Sequence, residues 1–255
     1  SLNMLCGSGM KAVISGLSSI RSGDAEIVLA GGVESMSGAP YLLPRETRKG
    51  IKMGAFQVED HLLRDALTDA FENIHMGLTA ENIAEHYGIT REQQDAFAWS
   101  SQQKAIKAVD EEAFDGEIVP LKVKVGRDEV IFDKDEFPNR GTSPEKLAKL
   151  RPAFRKDGTV TAGSASGIND GASFVVLASE KAVKRLGLTP LAEILGVGQG
   201  GVEPSVMGLG PVPAIRKALK KAGLKLSQIS LIELNEAFAA QSLGVVRELS
   251  EEHGM

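Results

Sequence analysis

Residues 8–30 write a helix and then a strand, and this pair limits the fold more than any other stretch. Met10, Val13, Ile14, Leu17 and Ile20 recur at helical spacing over residues 8–21, so one stripe of the helix is apolar and needs a surface to cover it. Gly23-Asp24 breaks the pattern. Residues 27–30, Ile-Val-Leu-Ala, are a continuous apolar run, as expected of a strand buried on both faces. Helix followed by buried strand points to an α/β layer. The same texture returns after Thr159. The small-residue stretch TAGSASGINDGAS leads into an apolar run at residues 174–178, and Ser179 is placed to cap a helix. LAEILGVG reads as a further strand, PVPAIRKALKKAGL as an amphipathic helix stopped at Gly223, and SLIELNEAFAAQ as strand, polar turn and helix.

The intervening block has a different texture. Residues 37–60 are polar and turn-rich. GLTAENIAEHYGI reads as a helix, and Thr90 with Gln93 three residues later forms a capping box for the next one, which runs through Phe97, Ala105, Ile106 and Val109. EIVPLKVKV alternates at Leu121, Val123 and Val125 as a half-buried strand does. Ser143-Pro144 opens a short helix. The expected organisation is therefore an α/β piece over residues 1–37, an insertion over 38–167, and a second α/β piece over 168–255.

A net charge of −5 argues against a general nucleic-acid or anionic-membrane surface. No apolar run approaches the roughly 20 residues of a membrane helix. One cysteine rules out an intrachain disulfide framework and fits a reducing, cytoplasmic setting. Four scattered histidines (61, 75, 86, 253) without HExxH or a cysteine partner give no metal-ligand pattern.

Four stretches carry chemistry. The single thiol, Cys6, is followed by Gly7-Ser8-Gly9 and then by the helix. Most lone cysteines are small buried hydrophobes. A thiol at a helix N-terminus, however, meets the positive end of the dipole, and the glycines admit a substrate to the backbone, as an acyl-accepting cysteine requires. In ELNEAFAAQ, Asn235 follows an apolar run and either caps the next helix or holds an oxyanion, directly or through a water. His75, in HMGLTAEN, is either a polar turn residue or a hydrogen bonder beside a substrate. Gly163, Ser164, Ser166 and Gly167 form either a tight turn or a wall for a long thin ligand. A fifth motif is a decoy. Residues 196–201, GVGQGG, match GxGxxG, but no helix opens inside them, and Lys220 and Lys221 stand where a ribose-binding acid is expected.

Taken together, NMLCGSGMKAV, IVLAGGVESMS, HMGLTAEN, LRPAFRKDGTVTAGSASGINDGA, VMGLGPVPA and ELNEAFAAQ resemble the thiolases, in their acetyl-CoA acetyltransferase (acetoacetyl-CoA thiolase) branch, over essentially the whole chain. The resemblance implies a layered α/β/α fold with an inserted loop domain covering coenzyme A. It implies that Cys6 is the nucleophile carrying the acetyl thioester and that Asn235 holds an oxyanion-hole water. His75 and Met76 match the loop over the substrate. Leu67, Phe154, Ala162, Gly163, Ser166 and Met207 fall along the coenzyme A tunnel, Ala237 and Phe238 lie beside the acyl group, and Arg140 pairs with the nucleotide end. Acetyl-CoA and acetoacetyl-CoA would be substrates, no separate cofactor or metal would be needed, and a homotetramer built from dimers would be expected. A longer-chain 3-ketoacyl-CoA thiolase, a ketoacyl synthase relative and a non-catalytic acyl-CoA-binding protein are the alternatives. One departure stands out. The family's activating His, in a GHP motif, and its second Cys, in a CxGGG motif, do not occur in this sequence, and the nucleophile motif begins within five residues of Ser1. The chain therefore reads as an internal, inactive piece of a longer enzyme, with its first α/β half incomplete.

Overall fold

The structure is a computed structural model and describes residues 1–254. In chain order the elements are α1 (Ser8–Ser22), β1 (Ile27–Glu34), β2 (Tyr41–Leu42), β3 (Glu59–Asp60), α2 (Met76–Tyr87), α3 (Arg91–Asp110), β4 (Leu121–Val125), β5 (Asp128–Phe132), α4 (Pro144–Ala148), β6 (Gly171–Ala178), α5 (Glu180–Leu186), α6 (Pro211–Ala222) and α7 (Ala239–His253). They fall into two units. The first comprises Ser1–Met76, Ile168–Pro204 and Gly210–Leu231; the second comprises Gly77–Gly167, Ser205–Leu209 and Ile232–Met255.

In the first unit β1 and β6 form an antiparallel ladder from Ile27 opposite Ala178 to Glu34 opposite Gly171. Helix α1 lies against one face of this ladder, with the buried Gly16 turned toward it. A Cβ there would come within 2.8 Å of Leu177 and 3.0 Å of Val28. The period-2 alternation of a strand puts Val28, Ala30, Val175 and Leu177 on the same face. The opposite face carries Leu29 and Val176, 67% and 66% exposed. The expectation of a strand buried on both faces is thus corrected: one helix covers one face, and only Ala30 of β1 is fully buried. The strands expected at LAEILGVG and SLIEL form no ladder. The first instead runs along α6. A Cβ at Gly198 would sit 1.9 Å from the Ala214 carbonyl oxygen, one at Gly196 would meet the Ala218 carbonyl oxygen, and one at Gly200 would meet Pro213. The GxGxxG glycines therefore serve close backbone packing on a helix, and Val212 of that helix is fully buried.

The second unit is mainly helical. Its core is built on Ile83 of α2 and on Ala240, Val245 and Leu249 of α7, with Val160 from the intervening loop. Gly244 lets α7 close onto Ile83, since a Cβ there would lie 2.6 Å from Ile83 Cγ2. Helix starts follow their local chemistry. Thr90 Oγ1 accepts from Gln93 N–H (3.3 Å) while Gln93 Oε1 accepts from Thr90 N–H (2.8 Å). Ser143 caps α4 with a single bond, its hydroxyl accepting from Lys146 N–H. In the first unit Ser179 caps α5, and Gly223, at φ +68°, ends α6. The half-buried strand expected at residues 117–125 is β4, paired with β5 in a hairpin of which only Val123 is partly covered.

Candidate functional site

In the first unit Cys6 sits in a single 3-10 turn, Leu5–Gly7, directly before α1, and is exposed. The turn is tied by its own neighbours. Gly7 N–H donates to the Met4 carbonyl (3.0 Å). Ser8 Oγ accepts from Met4 N–H (2.8 Å) and donates to the Leu5 carbonyl (2.7 Å), and Asn3 Oδ1 accepts from Leu5 N–H (2.8 Å). Leu5 stands at φ +49°, a left-handed conformation that a bulky side chain adopts only under constraint. A Cβ at Gly9 would find nothing within 4 Å, so that side of the turn is open.

Leu67 and His75 flank one loop of the same unit, Leu67 ending the turn of helix that precedes it. Thr68 and His75 form an isolated antiparallel bridge. Within the loop Asp69 N–H donates to the Ile74 carbonyl (2.8 Å), Asp69 Oδ2 accepts from Phe71 N–H (2.9 Å), and Asn73 takes φ +55°. His75 and Met76 are half-buried. Burial holds the His75 imidazole below the ordinary histidine range and so favours its neutral form, which can both donate and accept.

The second unit gathers most of the remaining predicted residues. The small-residue run and the NEAF segment are joined by main-chain hydrogen bonds: Ser166 N–H donates to the Ala237 carbonyl (3.0 Å), and Ala239 N–H donates to the Ser164 carbonyl (2.9 Å). Ala165 and Phe238 are bridge partners. The Phe238 ring meets Phe154 edge-on, with centroids 5.9 Å apart and planes at 85°. Phe154 in turn lies against Gly77, where a Cβ would come within 2.3 Å of its ring. Motifs 160 residues apart in sequence are thus stitched through one phenylalanine. Residues 161–164 form a tight turn: Ser164 N–H donates to the Thr161 carbonyl (3.1 Å), and Gly163 N–H donates to Thr161 Oγ1 (3.1 Å). Gly163 touches Leu147 and Leu150, while Ala162 and Ser166 are exposed.

Asn235 is exposed and does not cap α7. The cap position is Phe238, with no side-chain hydrogen bond. The capping role weighed for Asn235 is therefore set aside. Its neighbour Glu236 accepts a hydrogen bond from the Ser101 hydroxyl. Met207 lies in the short 3-10 segment Pro204–Leu209 and is 37% exposed. Arg140 is exposed and engaged by Asp110, which takes a bidentate pair of hydrogen bonds from its guanidinium. A phosphate there would have to share or displace that carboxylate.

One residue went unnoticed in the sequence. Glu81, 3% exposed on α2, accepts from Thr159 N–H (2.9 Å), Val160 N–H (2.9 Å) and the Thr159 hydroxyl (3.1 Å). Fully buried Gln94 donates to the same hydroxyl (2.8 Å). Glu81 thereby fixes the start of the small-residue run. Its sequence signal is a carboxylate on the buried face of the helix that follows HMG.

Among the described residues no group of three or more His, Cys, Asp or Glu is arranged to hold a metal ion, and no helix is long and apolar enough to cross a membrane.

The mixed α/β elements, the cysteine turn and the stitched small-residue and NEAF segments define a class. The thiolase N-terminal domain matches residues 1–181 and the thiolase C-terminal domain residues 188–253, and the chain belongs to the thiolase family. Among curated relatives, it is 56% identical to a Pseudomonas aeruginosa protein named acetyl-CoA acetyltransferase and 52% identical to an Escherichia coli protein of that name, in each case over 97% of this chain and 63% of the relative. Among solved structures, it is similar to the Bacillus anthracis acetyl-CoA acetyltransferase (TM-score 0.93, 48% identity, 98% of this chain and 63% of that one). It matches the human mitochondrial 3-ketoacyl-CoA thiolase equally well (TM-score 0.93, 48% identity, the same coverage). The chain thus spans somewhat less than two thirds of the length of these relatives.

Proposed function

We propose that this protein is an acetyl-CoA C-acetyltransferase that condenses two acetyl-CoA into acetoacetyl-CoA and free coenzyme A, reversibly. The observation that carries the proposal is an exposed Cys6 in the glycine-flanked turn that opens α1, in a chain of the thiolase family. Cys6 Sγ attacks the thioester carbonyl of the first acetyl-CoA. An S–C bond forms, and the coenzyme A thiolate leaves and takes up a proton. A second acetyl-CoA then gives an α-proton to a base. The resulting carbanion attacks the acetyl carbonyl and expels the Cys6 thiolate. Asn235 is assigned to the oxyanion, through a held water, and neutral His75 to a hydrogen bond near the thioester. Met76, Leu67, Phe154, Ala162, Gly163, Ser166 and Met207 are assigned to the pantetheine path, Ala237 and Phe238 to the acyl group, and Arg140 to the nucleotide end. Coenzyme A thioesters are substrates, with no separate cofactor. A cytoplasmic homotetramer, a dimer of dimers, is the proposed assembly.

The GHP and CxGGG motifs that supply the activating His and the second Cys are not in residues 1–255, and these residues alone are proposed to be inactive. Removing one member of a coupled catalytic set costs orders of magnitude in rate. The test is iodoacetamide labelling of Cys6 in the protein expressed from its complete reading frame, with and without acetyl-CoA. Protection, with an acetyl adduct on the Cys6 peptide, is expected. Labelling that ignores saturating acetyl-CoA removes the nucleophile assignment. A longer-chain 3-ketoacyl-CoA thiolase is the second reading, favoured by the equal likeness to the human mitochondrial enzyme. Relative rates on acetoacetyl-CoA and a long 3-ketoacyl-CoA decide between the two.

A further inference from the structure

We propose that Asn3 and Ser8 are positioning residues for the Cys6 thiol, holding Leu5 in its left-handed conformation so that the sulfur is presented at the opening of α1. The proposal rests on the reading of Cys6 as acyl acceptor. Leu5, immediately before the cysteine, has φ +49°. A leucine relaxes out of that region unless its surroundings fix it, and such outliers gather where a fixed geometry is used. Relaxation would rotate the peptide unit that leads into Cys6 and swing its side chain away. Both polar groups of the Leu5 backbone are bonded to side chains, and its carbonyl also accepts the backbone N–H of Ser8. Asn3 Oδ1 accepts its N–H (2.8 Å), and the Ser8 hydroxyl donates to its carbonyl (2.7 Å). The same hydroxyl accepts Met4 N–H (2.8 Å), and Gly7 N–H closes the turn on the Met4 carbonyl (3.0 Å). Ser8 thus uses one oxygen as donor and acceptor at once. It brackets the cysteine from the helix side, as Asn3 does from the chain side. Neither residue touches the reacting atoms in this account; both act through the backbone of Leu5.

The experiment measures the second-order rate of iodoacetamide alkylation of Cys6, read by mass spectrometry of its peptide, in the protein from the complete reading frame. The variants are Ser8→Ala, Ser8→Thr, Asn3→Ala and, as a control on the same helix, Ser19→Ala. Ser19, eleven residues beyond Ser8 and away from the turn, donates through Oγ to the carbonyl of Ser15. Ser8→Ala is expected to slow alkylation about three- to tenfold, the scale set by losing a net hydrogen bond or two, and Asn3→Ala about half as much on a logarithmic scale. Ser8→Thr keeps the hydroxyl and is expected to restore the rate, and Ser19→Ala to match wild type. Wild-type rates in both Ser8→Ala and Asn3→Ala overturn the proposal. So does a Ser8→Thr rate as low as that of Ser8→Ala, or an equal slowing in Ser19→Ala. Should Ser8→Ala lose its helical circular dichroism, Asn3→Ala, which lies outside α1, and Ser8→Thr decide the matter. Failure of acetyl-CoA to protect wild-type Cys6 removes the acyl-acceptor reading, while rate differences among the variants continue to support the clamp.

Discussion

Replacing Gly77 by alanine sets two effects of opposite sign against each other. Gly77 is the second residue of α2 and fully buried. Alanine is the better helix former, by about 1 kcal/mol. Against this, the new methyl would stand 2.3 Å from Cδ1 and Cγ of Phe154 and 2.4 Å from Cδ2. Carbon atoms rest at about 3.5–4.0 Å, so the ring must retreat by more than about 1 Å. Overpacking of this kind costs about 1–3 kcal/mol. The retreat also breaks the edge-on pair with Phe238, worth about 0.5–1.5 kcal/mol beyond burial. The clash wins: Gly77→Ala destabilises the protein by roughly 1–3 kcal/mol net. At about 2–4 °C per kcal/mol, the thermal midpoint falls by several degrees. Thermal unfolding followed by circular dichroism reads this directly, and a Phe154→Ala background sharpens it. With the ring gone, only the helix preference remains, and the same Gly77→Ala change becomes neutral or stabilising by up to about 1 kcal/mol. A midpoint that rises in the presence of Phe154, or an effect identical in both backgrounds, refutes the steric account.

Three further outcomes follow from the same structure. Gly198→Ala places a methyl 1.9 Å from the Ala214 carbonyl oxygen and 2.7 Å from the Ala218 nitrogen; backbone atoms cannot turn aside as a ring can, so urea unfolding should show a loss of about 3 kcal/mol or more. Glu81→Gln trades a carboxylate that accepts three donors for an amide that turns N–H toward N–H, and the same measurement should report a loss of about 2–4 kcal/mol; an unchanged midpoint would show that Glu81 does not hold the loop. Because burial lowers the folded-state pKa of His75, the unfolded imidazole binds its proton at the higher pH. Stability is therefore full above the ordinary histidine range and declines as the pH falls through the folded value. His75→Gln should flatten that slope in midpoints measured between about pH 5 and 8.

What the sequence discloses depends on the range of the force involved. The Thr90–Gln93 box, the Ser143-Pro144 start, the Ser179 cap and the Gly223 stop are satisfied by atoms within four residues, and each stands where the sequence puts it. The run at residues 27–30 is a strand, but its burial is set by what lies above and below it, which an apolar run alone does not state. LAEILGVG looks like a strand by composition; its glycines answer to a helix met some fifteen residues later. The candidate site divides the same way. The cysteine turn is legible because its clamp spans residues 3–8. Glu81 and the Gly77–Phe154–Phe238 stack are not, because their partners lie more than seventy residues away and no local period encodes them.

The two hydrogen bonds that join residues 164–166 to residues 237–239 involve peptide groups alone. Neither bond depends on a side chain, so the exposed Ser166 can be exchanged for another residue with the attachment left whole, whereas Ser164 and Ala239 are buried and leave no room for a larger group. Only an imino acid at 166 or 239 removes a donor and detaches the two strips.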